Sequence, residues 1–469
     1  MKGLEMTRAR LKKLYEKGQY QEILDQMTRL EEKEEYNGFS RLEKAVRVYY
    51  KSLALDRLSR FEEALQVTAR GRVEHSSSGE KLPALILLVV HLGALWRLNR
   101  LDEVLAACAE GDAIIRSLTP REREAGLEWI AWFYNTRGNI ISDTGELNAA
   151  MDYYQKCLAI LEKTGSPSDI SVPLNNIGNI YHYKGELDKA LDYLQRGLSL
   201  GETTGNPLKV AVPLVNIGSL YRAKGELDKA LVYARRSLTE YEKTGIDSYL
   251  FYPLSLLTLI ALDQQDTERA RKLLAMAQAL YDRNQVPLIQ VAIRLGKALV
   301  LKQSKRMADK VKAQAMLTEL AGEKPVNFHA TVLVLTHLSE LLLFELKMSG
   351  EPDVLVEVKT LLKKLQALAR DNHSFLLSTH ALILRAKLAA VEGNLQKAQQ
   401  YLDQARLTAE EKDMGRVRQD ILVEQEQLEA ELDKWQELIH RNAPLQERLE
   451  QARLENYLEK ARRIIGPLN

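Results

Sequence analysis

The stretch NIGNIYHYKGELDKAL at 176–191 returns as NIGSLYRAKGELDKAL at 216–231, with twelve of sixteen residues identical at an offset of forty. A fixed period of this length constrains the fold more than any other feature, because segments alike in sequence must bury alike faces. The shared phrase Gly-Glu-Leu stands at Gly145–Leu147, Gly185–Leu187 and Gly225–Leu227, each followed three residues on by an alanine: Ala150, Ala190 and Ala230. The same phase continues more faintly through Thr267 and Ala270 to Met307, returns at Leu395 and Ala398, and runs backward through Leu101 and Val104, Phe61 and Ala64, and Tyr20 and Ile23. It slips most visibly by six residues, around Leu118–Arg123.

Between these marks the apolar residues fall at helical spacing. Leu187, Ala190, Leu191, Leu194 and Leu198 form one stripe of a helix. No segment alternates with period two between turn residues, so no sheet is expected. Few prolines (12) and glycines (25) among 469 residues favour helix almost throughout. Gly165, Gly205 and Gly245 each close a Glu-Lys-Thr-Gly or similar phrase and read as left-handed helix C-caps. Prolines recur at 173, 213 and 253. Either Pro207 starts a helix after an Asn206 cap and Pro213 kinks it, or the helix begins near Pro213. Each forty-residue unit thus reads as two antiparallel helices. One such hairpin cannot bury its stripe alone, whereas a stack of them buries it between neighbours.

Aligned on Gly138, Gly178 and Gly218 as position 8, the units resemble the tetratricopeptide repeat. Tyr181 and Tyr221 then take position 11, with Ile141 in the preceding unit. Gly145, Gly185 and Gly225 take position 15, Ala150, Ala190 and Ala230 position 20, and Cys157, Gly197 and Ser237 the small-residue position 27. The resemblance is strongest over 121–243. The period is forty rather than 34, Glu162, Glu202 and Glu242 replace the usual proline, and Arg137 sits where leucine is normal. These departures resemble the longer-helix branch used by prokaryotic regulators, kinesin light chains and animal spindle-orientation adaptors. HEAT and armadillo arrays rank second, lacking the Gly-Glu-Leu signature.

The expected architecture is all-α: an elongated, right-handed superhelical solenoid of about ten antiparallel helix pairs with C-terminal capping helices. It divides into N-terminal repeats (1–118), core repeats of strongest consensus (119–285), divergent repeats (286–412) and capping helices (413–469). The charge-rich run LVEQEQLEAELDKWQELIHR lies in the first of two terminal helices, about 415–441 and 445–465. It reads as a solvating cap, with a homodimeric coiled coil as the alternative.

Catalytic chemistry is not visible. There is no phosphate-binding glycine loop, HExxH, CxxC or GxSxG. No metal or cofactor is expected. His329 with His337, and His373 with His380, are spaced to share helix faces but read as ordinary helix histidines. The net charge of +2 argues against a generalised nucleic-acid or membrane binder. The basic cluster from Lys297 to Lys312 lacks interleaved aromatics and reads as a solvated turn. The fifteen-residue run LPALILLVVHLGALW (82–96) is too short to cross a bilayer and reads as a buried helix. Two cysteines, Cys108 and Cys157, and an N-terminal stretch without the apolar core of a signal peptide point to a cytoplasmic location.

The tetratricopeptide resemblance implies a concave face lined by the first helix of each unit. There position 5 carries Asn135 and Asn175, position 6 Asn176 and Asn216, and position 9 Asn139, Asn179 and Ser219. Position 12 carries Ser142, His182 and Arg222. Asparagine is a poor helix former, and its amide pairs a donor with an acceptor. Recurring asparagines therefore point to a ladder that holds an extended peptide by its backbone, or to hydrogen bonds that fix helix geometry. The carboxylate clamp of chaperone-type arrays wants a basic residue where Asn135 and Asn175 stand, so that role is not expected. The leading reading is a non-enzymatic adaptor that holds a protein or peptide ligand, with His182 and Arg222 favouring an acidic one. A sensory module that binds a signalling peptide and relays to a separate effector is the alternative.

Overall fold

In the computed structural model, the protein is described over residues 2–31, 38–76, 79–98, 100–144, 146–165, 167–284, 287–323, 328–371, 375–411, 421–423, 425–426 and 429–452. Among these residues every regular element is helical. Ten antiparallel hairpins follow one another. The first three are α1 (Lys2–Glu16) with α2 (Tyr20–Glu31), α3 (Arg41–Arg57) with α4 (Phe61–Ser76), and α5 (Lys81–Arg97) with α6 (Leu101–Ser117). A single-turn helix, α7 (Pro120–Ala125), comes next. It occupies the six-residue slip in the repeat, closed at its start by a capping box between Thr119 and Glu122.

The best-conserved phrases build α8 (Leu127–Thr144) with α9 (Leu147–Thr164), α10 (Pro167–Tyr183) with α11 (Leu187–Glu202), and α12 (Pro207–Ala223) with α13 (Leu227–Glu242). Then come α14 (Phe251–Asp263) with α15 (Thr267–Asn284), α16 (Pro287–Lys302) with α17 (Met307–Gly322), α18 (Phe328–Ser349) with α19 (Pro352–Asp371), and α20 (Phe375–Val391) with α21 (Leu395–Glu411). The repeating phrase thus specifies an all-α solenoid of stacked hairpins, as its period predicts.

Small residues sit where helices cross. A Cβ on Gly178 would lie 2.7 Å from Leu194 Cγ and 3.2 Å from the Ala190 carbonyl oxygen. One on Gly201 would lie 2.2 Å from the Lys209 carbonyl oxygen, so α11 meets α12 at backbone distance. At position 27 the Ser237 hydroxyl donates to the Ala211 carbonyl at 2.8 Å. Arg137, out of place for a leucine site, pairs with Asp112 on α6 and lies over the Tyr153 ring.

The helix starting at Pro207 is the correct alternative for α12: the Asn206 side chain caps Leu208 N–H at 2.9 Å and Pro213 lies inside the helix. Gly205 and Gly245 adopt the left-handed conformation expected of them, each at φ +66°. Gly165 does not: its backbone is extended (φ −90°, ψ 165°) while its N–H still bonds the Leu161 carbonyl. The chain there leads directly toward Pro167, which opens the next helix. Gly145 lies outside the described residues, as do His373 and Gly466-Pro467.

The array also makes contacts between hairpins that are not neighbours in the stack. Its superhelix winds tightly enough for α18 to touch α8, five hairpins back. The N-terminal hairpins close onto later ones as well. Lys12 reaches Asp169 at 2.7 Å, and Ser59 shares a 2.8 Å hydrogen bond with Ser248. Leu208 and Ile246 pack against the same apolar core as Leu11 and Tyr49. At the other end, α22 (Leu432–His440) and α23 (Leu445–Ala452) bury Trp435, Leu438, Leu449 and Ala452, and α23 packs on α18 and α20. The described part of the terminal helices therefore caps its own array.

Candidate functional site

The asparagines of α8, α10 and α12 do two different jobs. Asn176 Nδ2 donates to Asn135 Oδ1 at 3.0 Å, and Asn216 Nδ2 donates to Asn175 Oδ1 at 3.0 Å. These are the same bond made twice, from position 6 of one unit to position 5 of the unit before it. The next acceptor would be Val215, and the run stops there. Asn135, Asn175 and Asn216 are buried. They tie neighbouring helices together through amide pairs that leave fewer polar groups unsatisfied in the interior.

Position 9 differs. Asn139 Oδ1 accepts from the Tyr154 hydroxyl at 2.8 Å and from Asn176 Nδ2 at 3.2 Å, which leaves its own amide nitrogen without a partner among the described residues. Asn179 makes no side-chain hydrogen bond among them. Both residues are half-buried. Ser219, at the same position one unit on, is buried and donates to the Val215 carbonyl within its own helix.

Position 12 is sealed. His182 and Arg222 are both about 98–99% inaccessible, at 2% and 1% relative exposure. Arg222 Nε donates to Asp263 Oδ2 at 2.6 Å, and the Asp263 carboxylate balances its charge. Burial, reinforced by the nearby Arg222 guanidinium, pushes the His182 imidazole down to about 4, so it is neutral at physiological pH. Neither position presents a net positive charge to a ligand, and the expectation that this pair selects an acidic partner is corrected on that ground. His182 Nε2 and Arg222 Nη1 are buried without hydrogen-bond partners. Nearby, burial raises the Asp143 carboxyl to about 7, although Trp96 Nε1 donates to it at 2.9 Å.

The sequence places the asparagines with Ser219, His182 and Arg222 on one face but does not point to Asp263, Tyr154, Asp143 or Trp96. Asp263 stands one residue past position 12 of its unit and so falls out of register. Tyr154 lies on the second helix of its hairpin. Among the described residues no group of three or more His, Cys, Asp or Glu side chains is placed to hold a metal. No described helix is long and apolar enough to cross a membrane.

Residues 123–416, more than half of the chain, match the family described as the MalT-like TPR region. No curated protein matches the sequence. Among solved structures, a Rap protein complexed with competence and sporulation factor aligns with TM-score 0.54 at 12% identity, over 81% of this chain and 99% of that one. The Rap conjugation gene regulator of the plasmid pLS20, in complex with the Phr* peptide, aligns with TM-score 0.45 at 13% identity, over 76% of this chain and 94% of that one. A tetratricopeptide repeat protein from Parabacteroides merdae gives TM-score 0.35 at 18% identity, over 62% and 98%. At 12% identity the first of these is a likeness of fold alone.

Proposed function

The chain belongs to the MalT-like TPR family, and from that premise we propose that it is a non-enzymatic scaffold or adaptor that holds an extended segment of another protein against its inner helices. The observation that supports this reading is the hydrogen-bonding capacity left at Asn139 and Asn179, one rung apart on α8 and α10. An amide offers an extended backbone both a donor and an acceptor, which is the chemistry a sequence-tolerant peptide grip needs. The bridged asparagines Asn135, Asn175, Asn176 and Asn216 hold the rungs at fixed spacing. Ser219 and Arg222 are engaged internally and His182 is sealed beside them, so on this reading they shape the site rather than touch the ligand. A cytoplasmic setting accords with Cys108 and Cys157 standing as free, buried thiols.

A second reading is a sensory module. The likeness of fold to a Rap protein complexed with competence and sporulation factor accords with it. A short peptide bound reversibly points to the sensor; one stable co-purifying protein points to the adaptor. Affinity capture with the wild-type chain and with Asn139→Ala/Asn179→Ala tests the site itself. The double variant takes the Asn139 acceptor from the Tyr154 hydroxyl and should melt somewhat lower, still as one cooperative transition, and should lose the captured partner. Equal capture by two equally folded proteins removes the asparagines from the site.

A further inference from the structure

A charged junction lies away from the asparagines, at the starts of three successive inner helices. Glu128 opens α8, Asp169 opens α10 and Lys209 opens α12, forming rungs 41 and 40 residues apart in sequence. Across them lies α1, with Arg8, Lys12 and Glu16 at four-residue intervals on one face. Arg8 pairs with Glu128 and sits 4.5 Å over the Trp129 ring. Lys12 spans two rungs, at 3.5 Å from Glu128 and 2.7 Å from Asp169. Glu16 lies within electrostatic range of Lys209. The order cation, cation, anion on the helix meets anion, anion, cation on the ladder.

Two features make the hold on α1 weaker than that on α2. Among its described apolar residues α1 fully buries only Leu11 and packs Leu14 and Tyr15 partly buried against the same core, whereas α2 buries Tyr20, Ile23, Leu24 and Met27. The third rung is also poorly satisfied. Glu16 Oε1 is buried without a hydrogen-bond partner. Desolvation, the largest influence on Lys209, lowers its ammonium to about 8 despite the acidic neighbours Asp169 and Glu16. The three-residue turn to α2 pivots on Gly18, at φ +74° with open space around it.

We propose that the Glu128–Asp169–Lys209 ladder is a helix-docking surface that α1 occupies in cis, and that it accepts an amphipathic helix of a partner protein carrying cation, cation and anion at four-residue spacing when α1 leaves. This goes beyond the peptide grip above and uses none of its residues. The probe is a fluorescein-labelled peptide of residues 2–16 added to the full-length chain. The wild type, with its ladder filled, binds little of it. Arg8→Glu/Lys12→Glu frees α1: its amides exchange at least tenfold faster, those of α12 and α13 do not, and the peptide binds with a rise in anisotropy that added salt abolishes. Adding Glu128→Lys/Asp169→Lys to that variant restores protection of α1 and excludes the peptide. Unchanged exchange in α1, an opened α1 with no peptide bound, or global unfolding of the Arg8→Glu/Lys12→Glu chain each overturns the proposal, the last because α1 would then be an integral part of the core. None of these outcomes depends on whether Asn139 and Asn179 hold a ligand.

Discussion

At the level of single residues, the interior polar groups divide into those that are paired and those that are stranded. Asn216 and Asn175 are both buried, and the Asn175 oxygen accepts from the Asn216 amide. Replacing Asn216 alone with Val strands the Asn175 oxygen and should cost about 1–3 kcal/mol. The double replacement Asn175→Val/Asn216→Val should recover part of that loss, and urea melts of the four proteins in the cycle measure the coupling. Arg222 and Asp263 are a sharper case, at 1% and 2% side-chain exposure. Arg222→Met removes the guanidinium that balances the buried Asp263 carboxylate and should destabilise by on the order of 3–5 kcal/mol, with Arg222→Met/Asp263→Leu restoring much of it. A single variant no less stable than wild type would show that water reaches the pair. His182 supplies a pH signature. Its folded-state value of about 4 lies below the ordinary imidazole range. Its contribution to stability is therefore complete above about pH 6.5 and lost as the pH falls toward 4. His182→Leu should remove up to about 3 kcal/mol of the difference in stability between pH 7 and pH 4, read against wild type at each pH so that Asp143, with its opposite slope, cancels.

At the level of helices, the turn between the two members of each hairpin is the informative element. Gly185 and Gly225 turn at φ +81° and +78°, where glycine carries no Cβ penalty. One unit later the same place is taken by Gln265 at φ +60°. The repeat therefore shows which residue the backbone prefers there. Gln265→Gly should raise stability by roughly 0.5–1 kcal/mol, because relief of the left-handed strain outweighs the added freedom of the unfolded chain. A lower melting temperature would mean that the Gln265 side chain contributes contacts worth more than the strain. Gly178→Leu should do the reverse, since Leu194 and the Ala190 carbonyl already fill the space.

At the level of the whole molecule, stacking and closure are separate properties. Stacking follows from the apolar stripe each hairpin must cover. Closure follows from superhelical pitch, which brings α18 to α8 and α1 to the starts of α8 and α10. Terminal repeats of a stack need a cover for their last exposed face. Truncation after Glu411 uncovers the surfaces of α18 and α20 beneath α23, and should lower the melting temperature and promote aggregation. A truncated chain that melts and sediments like the full one would show that α22 and α23 serve some purpose other than capping.

The sequence by itself determined the period, the helical hairpins, the residues at their crossings and the site of the six-residue insertion, because each is a local matter of apolar spacing, small side chains and turn chemistry repeated within forty residues. It also showed that asparagines recur on one face, but not which of them are bridged: Asn176 meets Asn135, 41 residues earlier, only because adjacent hairpins pack at a particular angle. The burial of His182 and Arg222, the pairing with Asp263 and the docking of α1 belong to the tertiary structure alone. A small rotation per repeat accumulates over the array, and whether its interior stands open or closes depends on that sum, which no single repeat encodes.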